Sequence, residues 1–468
     1  MKVEVVESAP SFEIVYPIVV IGGGACGLSA ALAASDMGLE VLIVEQDKSL
    51  MGTTAMSTGL IPAAGTPEQK IAGIKDSAEI FAADIQSKAQ NGADSAIVNK
   101  IAQESAETIS WLQKTHKVPL SLVTGFLYPG HSVQRMYGSP SRSGSELMAC
   151  LEAAALVNQV DILTEALVED LIVDQSNKLV GLRVIRPDGR TTEIGCKTLI
   201  LACCGFAGNE EMVAQYTPEM KDATFHGHPG NKGHAIKWGE ALGAKLADMD
   251  AYQGHGGLAY GHGIPILWPL IMEGGFQVNR SGVRFSNEAK GYSEQAVNVL
   301  AQEGNVAWSI FDQRLYNLMT DFEDFKDAVE AGALVTADDA ALLSEKIRVS
   351  SDGLVNTIKQ VAELANGQGN DEFGRDFSHK PCLTPPYYAA KVTGALFHTQ
   401  GGLEVDTSAR VLAKNGQALP NLFAGGGAAR GISGAGAAGY MAGNGLVTAT
   451  TLGKIAGRCA AQQVLAGN

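Results

Sequence analysis

The stretch from residue 18 to residue 47 reads IVVIGGGACGLSAALAASDMGLEVLIVEQD and decides the fold. Its β-branched start, Ile18–Ile21, predicts a buried strand, and the Ala-rich run Leu28–Met37 predicts a helix. A second buried strand is predicted at Glu40–Val44, and Glu45 follows it directly. The turn between the first strand and the helix is a G-x-G-x-x-G, Gly22–Gly27. This order of elements is that of a βαβ unit.

The βαβ unit has the features of a dinucleotide site. Its glycines let the backbone turn tightly and approach a pyrophosphate, the helix N-terminus faces the phosphates, and the acidic residue binds a ribose hydroxyl. Because all of these parts stand in the expected order, we favour a dinucleotide site over an ordinary Gly-rich turn. The predicted contacts are Gly22, Gly24, Ala25, Gly27, Glu45 and Gln46.

Composition restricts the class of protein. With 468 residues, two domains or one large domain with a lid are expected. The net charge of −15 argues against nucleic acid as a partner. Apolar runs of about 18 residues are missing from the sequence, which argues against a membrane span, and the acidic N-terminus does not resemble a secretory signal. The seven cysteines are interpreted as reduced thiols, so a cytoplasmic protein is expected. Histidine spacing predicts no metal site.

Three further segments are predicted to contact the same ligand. Small, hydroxyl-bearing residues fill Met51–Gly59, which suits a planar ligand, although a flexible loop has the same composition. The buried strand Thr198–Ala202 leads into a Gly-containing turn that would cover an adenosine, unless it is a plain strand-to-loop turn. The last helix, from about residue 443 to 465, has a stripe of small residues that predicts very close packing, and its N-terminus suits an anionic ring. The predicted contacts are Gly52, Thr53, Thr54, Ser57, Thr58, Gly59, Val168, Gly205, Asn209, Gly426, Asn444, Gly445 and Leu446.

The predicted fold class is α/β. A Rossmann-like domain, residues 1–230 and 376–468, is interrupted by an α+β capping domain, residues 231–375, that covers the substrate. Within the insertion, Gly275–Asn279 predicts a strand, and Ala337–Ile347 and Gly353–Ala365 predict amphipathic helices. The irregular segment Gly125–Gly144 carries aromatic and cationic side chains, among them Tyr128. It is a candidate wall of the site, although solvated loops have the same character.

Taken together, these motifs resemble the flavoproteins of the fumarate reductase and 3-ketosteroid Δ1-dehydrogenase superfamily. The resemblance covers nearly the whole chain and implies non-covalently bound FAD, with an FAD domain interrupted by a capping substrate domain. The motifs that carry it are Gly22–Gly27 with Glu45, Gly52–Gly59, Ala202–Asn209, Gly282–Glu288, His398–Gly402 and Phe423–Gly427 with the last helix.

Two departures from the fumarate reductase pattern predict the chemistry. That branch places a proton-donating arginine after Arg-Phe-x-Asn-Glu, and a carboxylate-binding arginine before the last helix. This sequence has Tyr292 and Tyr440 at those places. Ketosteroid dehydrogenases, by resemblance, use tyrosines at both. The resemblance therefore implies Tyr292 as the base for an α-proton, and Tyr440 with the amide of Gly443 or Asn444 as donors to a ketone oxygen, while the β-hydride passes to flavin N5.

His398 resembles the fumarate reductase branch, where the histidine of His-Thr-x-Gly-Gly binds a substrate carboxylate. It could instead orient the flavin loop. Combining both features predicts a cyclic ketone that bears a carboxylate, for example 4-oxocyclohexanecarboxylate, or else a 3-ketosteroid. Arg135, Arg142 and Arg430 are the candidate partners of the carboxylate, since arginine binds carboxylates in bidentate fashion.

Three functions follow from these observations. The first is flavin-dependent desaturation of a cyclic ketone, and the second is a related enoate reductase in which Tyr292 acts as the acid. The third, of another class, is an FAD-binding redox partner subunit without a substrate of its own. The sequence leaves the electron acceptor open between oxygen, a quinone and other acceptors.

Overall fold

The structure is a computed structural model that describes residues 1–7, 10–378 and 380–467. Within these ranges the strands are β1 (Val3–Val6), β2 (Ile14–Ile21), β3 (Val41–Val44), β4 (Ile61–Pro62), β5 (Ser121–Val123), β6 (Met136–Gly138), β7 (Asp161–Leu163), β8 (Leu167–Asp174), β9 (Leu179–Ile185), β10 (Thr191–Leu201), β11 (Thr224–Phe225), β12 (Leu246–Ala247), β13 (Tyr252–Ala259), β14 (Phe276–Val278), β15 (Val306–Asp312), β16 (Leu334–Ala337), β17 (Tyr387–Thr399), β18 (Gly402–Leu403), β19 (Arg410–Leu412) and β20 (Ala418–Ala424). The α-helices are α1 (Ala25–Ser35), α2 (Gly52–Ala55), α3 (Pro67–Ile71), α4 (Ala78–Lys88), α5 (Ser95–Lys114), α6 (Gly144–Val157), α7 (Glu210–Tyr216), α8 (His234–Ala241), α9 (Pro269–Met272), α10 (Tyr292–Leu300), α11 (Gln313–Met319), α12 (Glu323–Glu330), α13 (Ala340–Ile347), α14 (Ser351–Ala365) and α15 (Asn444–Leu465).

The larger sheet contains the predicted βαβ unit. Its strand order is β1-β8-β9-β10-β2-β3-β7, and β20 pairs with β10 and β19. Strands β2 and β3 are parallel, with Ile18 opposite Val41 and Ile21 opposite Val44. Residues of parallel strands that are covered by helices on both faces are buried and apolar, which is the pattern of both segments. The sequence prediction for this unit is confirmed.

One predicted strand is longer in the structure. The strand predicted at Thr198–Ala202 is the end of β10, which begins at Thr191. Its first half pairs antiparallel with β9 and its last residues, Leu199–Leu201, pair parallel with β20. The strand is continuous because β20 takes over the edge of β10 where the pairing with β9 ends.

Helix α15 packs directly against α1 through its small residues. A Cβ atom on Gly453 would overlap the carbonyl oxygen of Cys26, and one on Gly457 would overlap that of Ala30. Any side chain at these two positions would push the helices apart. The close packing predicted from the glycine stripe is therefore confirmed, and it places the middle of α15 beside the first half of α1.

The long strand β17 is the central strand of a second sheet. Strands β11, β13, β15 and β16 pair with β17, and β14 pairs with β15. Because β11 and β17 lie outside residues 231–375, this sheet extends beyond the limits predicted for the capping domain on both sides. Helix α8 lies within those limits, yet its residues Ala235 and Trp238 pack into the core of the first sheet. The exact domain limits remain a prediction.

The longest helices are amphipathic or serve as packing surfaces. Helix α5 begins at Asp94, whose carboxylate accepts hydrogen bonds from the Ala96 and Ile97 amides, and one face of the helix is buried against α4. Across residues 1–7, 10–378 and 380–467, no helix combines the length and the apolar composition needed to cross a membrane.

Candidate active site

A groove runs along the carboxyl ends of β2, β3 and β10. Most of the predicted dinucleotide contacts lie in it, together with residues of α8 and of the loop before it. The groove is lined by Gly22, Gly23, Gly24, Ala25, Cys26, Glu45, Gln46, Gly52, Thr53, Thr54, Val168, Cys203, Cys204, His228, Asn231, His234, Trp238, Gly426 and Ala449, among others.

The turn at the end of β2 can be built only from glycine at two positions. Gly22 has φ +103°, and a Cβ there would lie 2.6 Å from the carbonyl oxygen of Ala202. A Cβ on Gly27 would overlap the carbonyl oxygen of Gly22. The turn therefore brings the backbone close to β10 and directs the first amides of α1 into the groove, where they can bind a pyrophosphate.

Glu45 lies at the end of β3, where the sequence predicted a ribose contact. Its Oε2 accepts a hydrogen bond from the Gly23 amide at 2.7 Å, and its Oε1 accepts one from the Asp47 amide at 3.1 Å. Both bonds fix the orientation of the carboxylate at the wall of the groove. The ribose contact itself remains a prediction.

Five of the predicted cofactor contacts do not line the groove or the cavity beside it, namely Gly27, Gly59, Gly205, Asn209 and Asn444. Gly27 packs on the Gly22 carbonyl and Gly59 on the Ser143 carbonyl. A Cβ on Gly205 would overlap the hydroxyl of Thr399, so this glycine makes room for β17. Asn209 caps α7, since its side-chain oxygen accepts from the Met212 amide at 3.2 Å. These residues lie outside the walls of the site and support them, because the strand and helix ends to which they belong pack against neighbouring elements.

Trp238 provides a test of whether this groove suits a nucleotide. Its side chain is 2% exposed and lines the groove, and its indole N–H has no hydrogen-bond partner among the described residues. A buried donor without an acceptor is destabilising, and a ligand bound in the groove would supply the missing acceptor. The residues present therefore fit a bound dinucleotide.

We expect Trp238→Phe to lower the affinity for FAD by about three- to tenfold, because one hydrogen bond and part of the contact area are lost. Titration of the apoprotein with FAD, followed by flavin fluorescence, measures this change directly. Trp308→Phe, in the second sheet, is the matched control and should bind FAD like the parent. Equal affinity in Trp238→Phe would contradict the prediction.

The groove opens into a second cavity between the two sheets. The two share Thr53, Thr54, Cys204, Gly426, Gly427 and Ala449. The second cavity is lined further by Ser57, Thr58, Tyr128, His255, Trp268, Tyr292, Asp324, Phe397, His398, Tyr440, Gly443, Gly445 and Leu446, among others. A ligand that occupies both spaces therefore presents one end to the predicted catalytic residues.

Tyr292 and Tyr440 meet in this cavity. Their ring centroids are 6.0 Å apart with the planes at 63°, and both side chains are buried. Burial raises the pKa of both phenols above the ordinary value. The proximity of Tyr440 raises the pKa of Tyr292 further. At neutral pH both side chains are therefore neutral phenols.

The start of α15 supplies backbone donors near Tyr440. The Gly445 backbone lies beside the Tyr440 hydroxyl and lowers the pKa of this phenol against the effect of burial. The Asn444 amide, one of the two predicted oxyanion donors, already donates to the Met441 carbonyl at 3.0 Å. Asn444 is fully buried and does not line the cavity, whereas Gly443, the other predicted donor, does.

His398 is held by a chain of polar side chains. The Asn444 side-chain amide donates to the Ser433 hydroxyl at 3.1 Å, which donates to the Gln400 carbonyl oxygen at 2.9 Å. The Gln400 amide in turn lies 3.0 Å from Nδ1 of His398. Nδ1 also lies 3.3 Å from the Thr399 carbonyl, and the shorter Gln400 contact, in which Nδ1 accepts, assigns the proton to Nε2, the side of the ring near Gly445 and Tyr440. Burial lowers the pKa of His398 to about 4, so the ring is neutral.

Several further cavity residues were not assigned by the sequence analysis. His255 stacks on Phe397 with centroids 4.9 Å apart, and lies 5.0 Å from the Tyr292 ring. Burial lowers the pKa of His255 to about 3. Trp268 completes this aromatic wall, and Asp324 adds a carboxylate from α12. Their sequence neighbourhoods carry no motif, and only the pairing of β13 with β17 brings His255 to the site.

The three candidate arginines do not line the cavity. Arg135 is fully buried and bonds Asp76 at 3.0 Å and Asp84 at 2.6 Å. Arg430 bonds Asp248 at 2.7 Å and Asp94 at 3.0 Å. Arg142 pairs with Asp321 at 3.3 Å and covers the Phe322 ring. Because acidic partners already neutralise them, the structure does not support their prediction as ligands of a substrate carboxylate.

Cationic side chains are likewise missing from the walls of the cavity, as far as residues 1–7, 10–378 and 380–467 are concerned. The same described residues contain no group of three His, Cys, Asp or Glu side chains arranged to hold a metal ion.

Comparison with known proteins identifies the family. The profile of an FAD binding domain family, FAD_binding_2, matches residues 17–446. The chain belongs to this family. The flavoprotein is 28% identical over 447 residues to a fumarate reductase (cytochrome) of Shewanella frigidimarina, a match that covers 95% of this chain and 77% of the relative.

Solved structures resemble the flavoprotein over nearly its whole length. The open conformation of a flavocytochrome c3 fumarate reductase superposes with a TM-score of 0.80 at 28% identity, covering 97% of this chain and 79% of that one. A 3-ketosteroid-Δ4-(5α)-dehydrogenase from Rhodococcus jostii, in complex with 4-androstene-3,17-dione, gives 0.76 at 22% identity, covering 98% and 100%. The latter shows a shared fold.

These findings confirm the predicted superfamily and fold class. The flavoprotein is an FAD-dependent oxidoreductase, and the groove and the adjoining cavity are the places in the fold where its cofactor and substrate can bind. The convergence of phenols, imidazoles and a carboxylate on one cavity also argues against the hypothesis of a partner subunit without a substrate.

Proposed function

We propose that this flavoprotein dehydrogenates an uncharged cyclic ketone between its α and β carbons. The observation that carries the proposal is the pair of buried phenols, Tyr292 and Tyr440, in a cavity whose described walls carry no cation. A phenol can polarise a ketone or exchange a proton with its α-carbon, whereas a dicarboxylate would be left with its charge unpaired.

Tyr440 has the better position for the ketone oxygen. Its hydroxyl lies beside the Gly445 backbone at the start of α15, and its ring lies 6.0 Å from that of Tyr292. The Gly443 amide and Nε2 of His398 are further donors at the same wall. Together these groups stabilise the negative charge that develops on the oxygen when the α-proton leaves.

Tyr292 is the proposed acceptor of the α-proton. Bound FAD supplies the acceptor for the hydride that leaves the β-carbon. Around Tyr292, the rings of His255 and Trp268 at 5.0 and 6.0 Å exclude water and limit the orientations of a ring substrate. These walls favour a flat, apolar ring over a flexible chain.

A second candidate function is the reverse type of reaction, reduction of an activated double bond. It is favoured by the raised pKa of Tyr292, because a neutral phenol can donate a proton to the α-carbon. The similarity to a fumarate reductase supports it as well. In this reaction Tyr292 would be the acid, and Tyr440 would keep its role at the carbonyl oxygen.

The direction and the substrate class can be tested by anaerobic flavin reduction. We expect cyclohexanone-type and steroid ketones, screened without oxygen, to bleach the bound flavin at about 450 nm. Succinate should leave it oxidised. Reoxidation of the reduced flavin by fumarate, with no response to any ketone or enone, would overturn the proposal and favour the reduction of unsaturated acids.

A further inference from the structure

One peptide group at the cavity wall carries a donor that is not yet used. Ala442 and Gly443 share a trans peptide bond, so the Ala442 carbonyl and the Gly443 N–H point in opposite directions. Both residues line the cavity. Within residues 1–7, 10–378 and 380–467, the Gly443 amide has no hydrogen-bond partner. This N–H can bind a ketone oxygen only while the carbonyl is held on the other side of the peptide.

His131 holds this carbonyl. Its Nε2 lies 2.9 Å from the Ala442 carbonyl oxygen, and its side chain is buried. His131 is not one of the residues that line the cavity, so the bond keeps the carbonyl on the far side of the wall and leaves the Gly443 N–H free for a ligand. A hydrogen bond to the carbonyl also polarises the amide, which makes its N–H a stronger donor.

Arg135 determines which nitrogen of His131 carries the proton. Its Nη1 lies 3.1 Å from Nδ1 of His131, and a guanidinium can only donate. Nδ1 therefore accepts, and the ring proton is on Nε2, from where it is donated to Ala442. Burial and the charge of Arg135 lower the pKa of His131 to about 4, so the ring keeps this neutral form at neutral pH.

The guanidinium of Arg135 is itself fixed on several sides. Asp76 accepts hydrogen bonds from its Nε and Nη2 at 3.0 Å each, and Asp84 accepts one from Nη1 at 2.6 Å. The Phe81 ring stacks on His131 with centroids 6.3 Å apart, and the guanidinium lies 4.8 Å from the centre of the same ring. Helix α4 and the residue before it thus hold both side chains in one orientation.

We propose that His131 and Arg135 are positioning residues that orient the Ala442–Gly443 peptide, so that its N–H is presented to the ketone oxygen. The inference rests on the proposed function. Gly443 has φ +82°, and glycine lets such a peptide rotate between alternative conformations. Rotation would turn the N–H away and place a carbonyl oxygen where the enolate charge develops. The His131 bond opposes rotation, because it would leave Nε2–H buried without an acceptor.

Two variants of His131 separate its hydrogen bond from its packing. The side chain of His131→Asn can still accept from Arg135 but is too short to reach the Ala442 carbonyl, whereas the amide of His131→Gln can replace Nε2. With FAD-loaded protein, His131→Asn should slow the limiting rate of flavin reduction by a ketone about 10- to 100-fold, less than outright removal of an oxyanion donor. His131→Gln should stay within about threefold of wild type, because the donor is restored.

An enolate mimic gives a second readout that does not depend on turnover. The probe is 4-nitrophenol, bound to the oxidised FAD-loaded protein and followed by difference absorbance as the pH is varied. In His131→Asn the bound probe should ionise at a pH about one unit higher than in wild type, which corresponds to about tenfold weaker stabilisation of its oxyanion. In His131→Gln it should ionise as in wild type.

His116→Asn is the matched control. It removes another buried imidazole, whose Nε2 lies 3.2 Å from Asp36 and which does not line the cavity. It should keep the wild-type rate and the wild-type titration of the probe.

A His131→Asn protein that matches wild type in both measurements would overturn the inference. Equal losses in His131→Asn and His131→Gln, including a shared failure to fold, would also overturn it, because they would assign the role of His131 to packing. If no ketone reduces the flavin of wild type, the proposed function fails instead, while the titration of 4-nitrophenol still reports whether His131 orients the peptide.

Discussion

Tyr292→Phe is expected to slow ketone-dependent flavin reduction by about a thousandfold, because general acid–base catalysis contributes roughly 10²–10⁴-fold. The ring that packs on His255 and Trp268 is kept, so only the hydroxyl is lost. Stopped-flow absorbance under anaerobic conditions measures the rate. FAD content and thermal unfolding should stay close to those of wild type, because the ring contacts with His255, Trp268 and Tyr440 are retained.

Tyr440→Phe should be slowed by a comparable factor of about 10²–10³, since an oxyanion donor is removed. The two variants differ in α-hydrogen exchange with D2O in the absence of turnover. Tyr292→Phe should abolish exchange, whereas Tyr440→Phe should weaken it. Tyr260→Phe, at an exposed position beside Lys391, is the control and should behave as wild type. A rate within threefold of wild type for Tyr292→Phe would exclude it as the base.

The second large effect concerns substrate charge. The methyl ester of 4-oxocyclohexanecarboxylate should reduce the flavin at least a hundredfold more efficiently, in kcat/KM, than the free acid. The two compounds have the same ring and ketone, so the comparison isolates the carboxylate. A buried charge without a partner costs several kcal/mol, and about 2.7 kcal/mol is already a hundredfold.

The physical reason lies in the partners of the arginines. Arg135, Arg142 and Arg430 each face one or two carboxylates of the protein, and His398 is neutral. A substrate carboxylate would have to displace one of these ion pairs. Equal efficiency of acid and ester would show that a cation reaches the cavity, and preference for the acid would restore the carboxylated ketone predicted from the sequence.

Local sequence was sufficient for the cofactor half of the molecule. The turn at Gly22, the carboxylate of Glu45 and the small residues of α15 could be predicted because each belongs to a short sequence pattern, although the groups they pack against are distant in sequence. The replacement of two arginines by Tyr292 and Tyr440 could also be recognised from the sequence, since both residues stand at fixed sequence distances from recognisable motifs.

Other features depend on contacts between distant parts of the chain. Asn209 is of a residue type that often contacts ligands, but its side chain caps α7. The backbone amide of Asn444 already donates a hydrogen bond to the Met441 carbonyl. The spacing of motifs does not reveal which hydrogen-bonding groups already have a partner within the protein. Likewise, the extension of the second sheet to β17 depends on the pairing of residues far apart in sequence.

By itself the sequence determined that this chain binds FAD through a βαβ unit and places two phenols where related enzymes have guanidinium groups. Only the tertiary structure decided which charges remain available to a substrate. Aspartates from separate elements neutralise each arginine, whereas the packing of α12 and the loop of Tyr128 leaves Asp324 without a partner at the cavity. The balance of burial and pairing that sets these charges is a property of the folded chain, because it depends on atoms brought together from positions hundreds of residues apart.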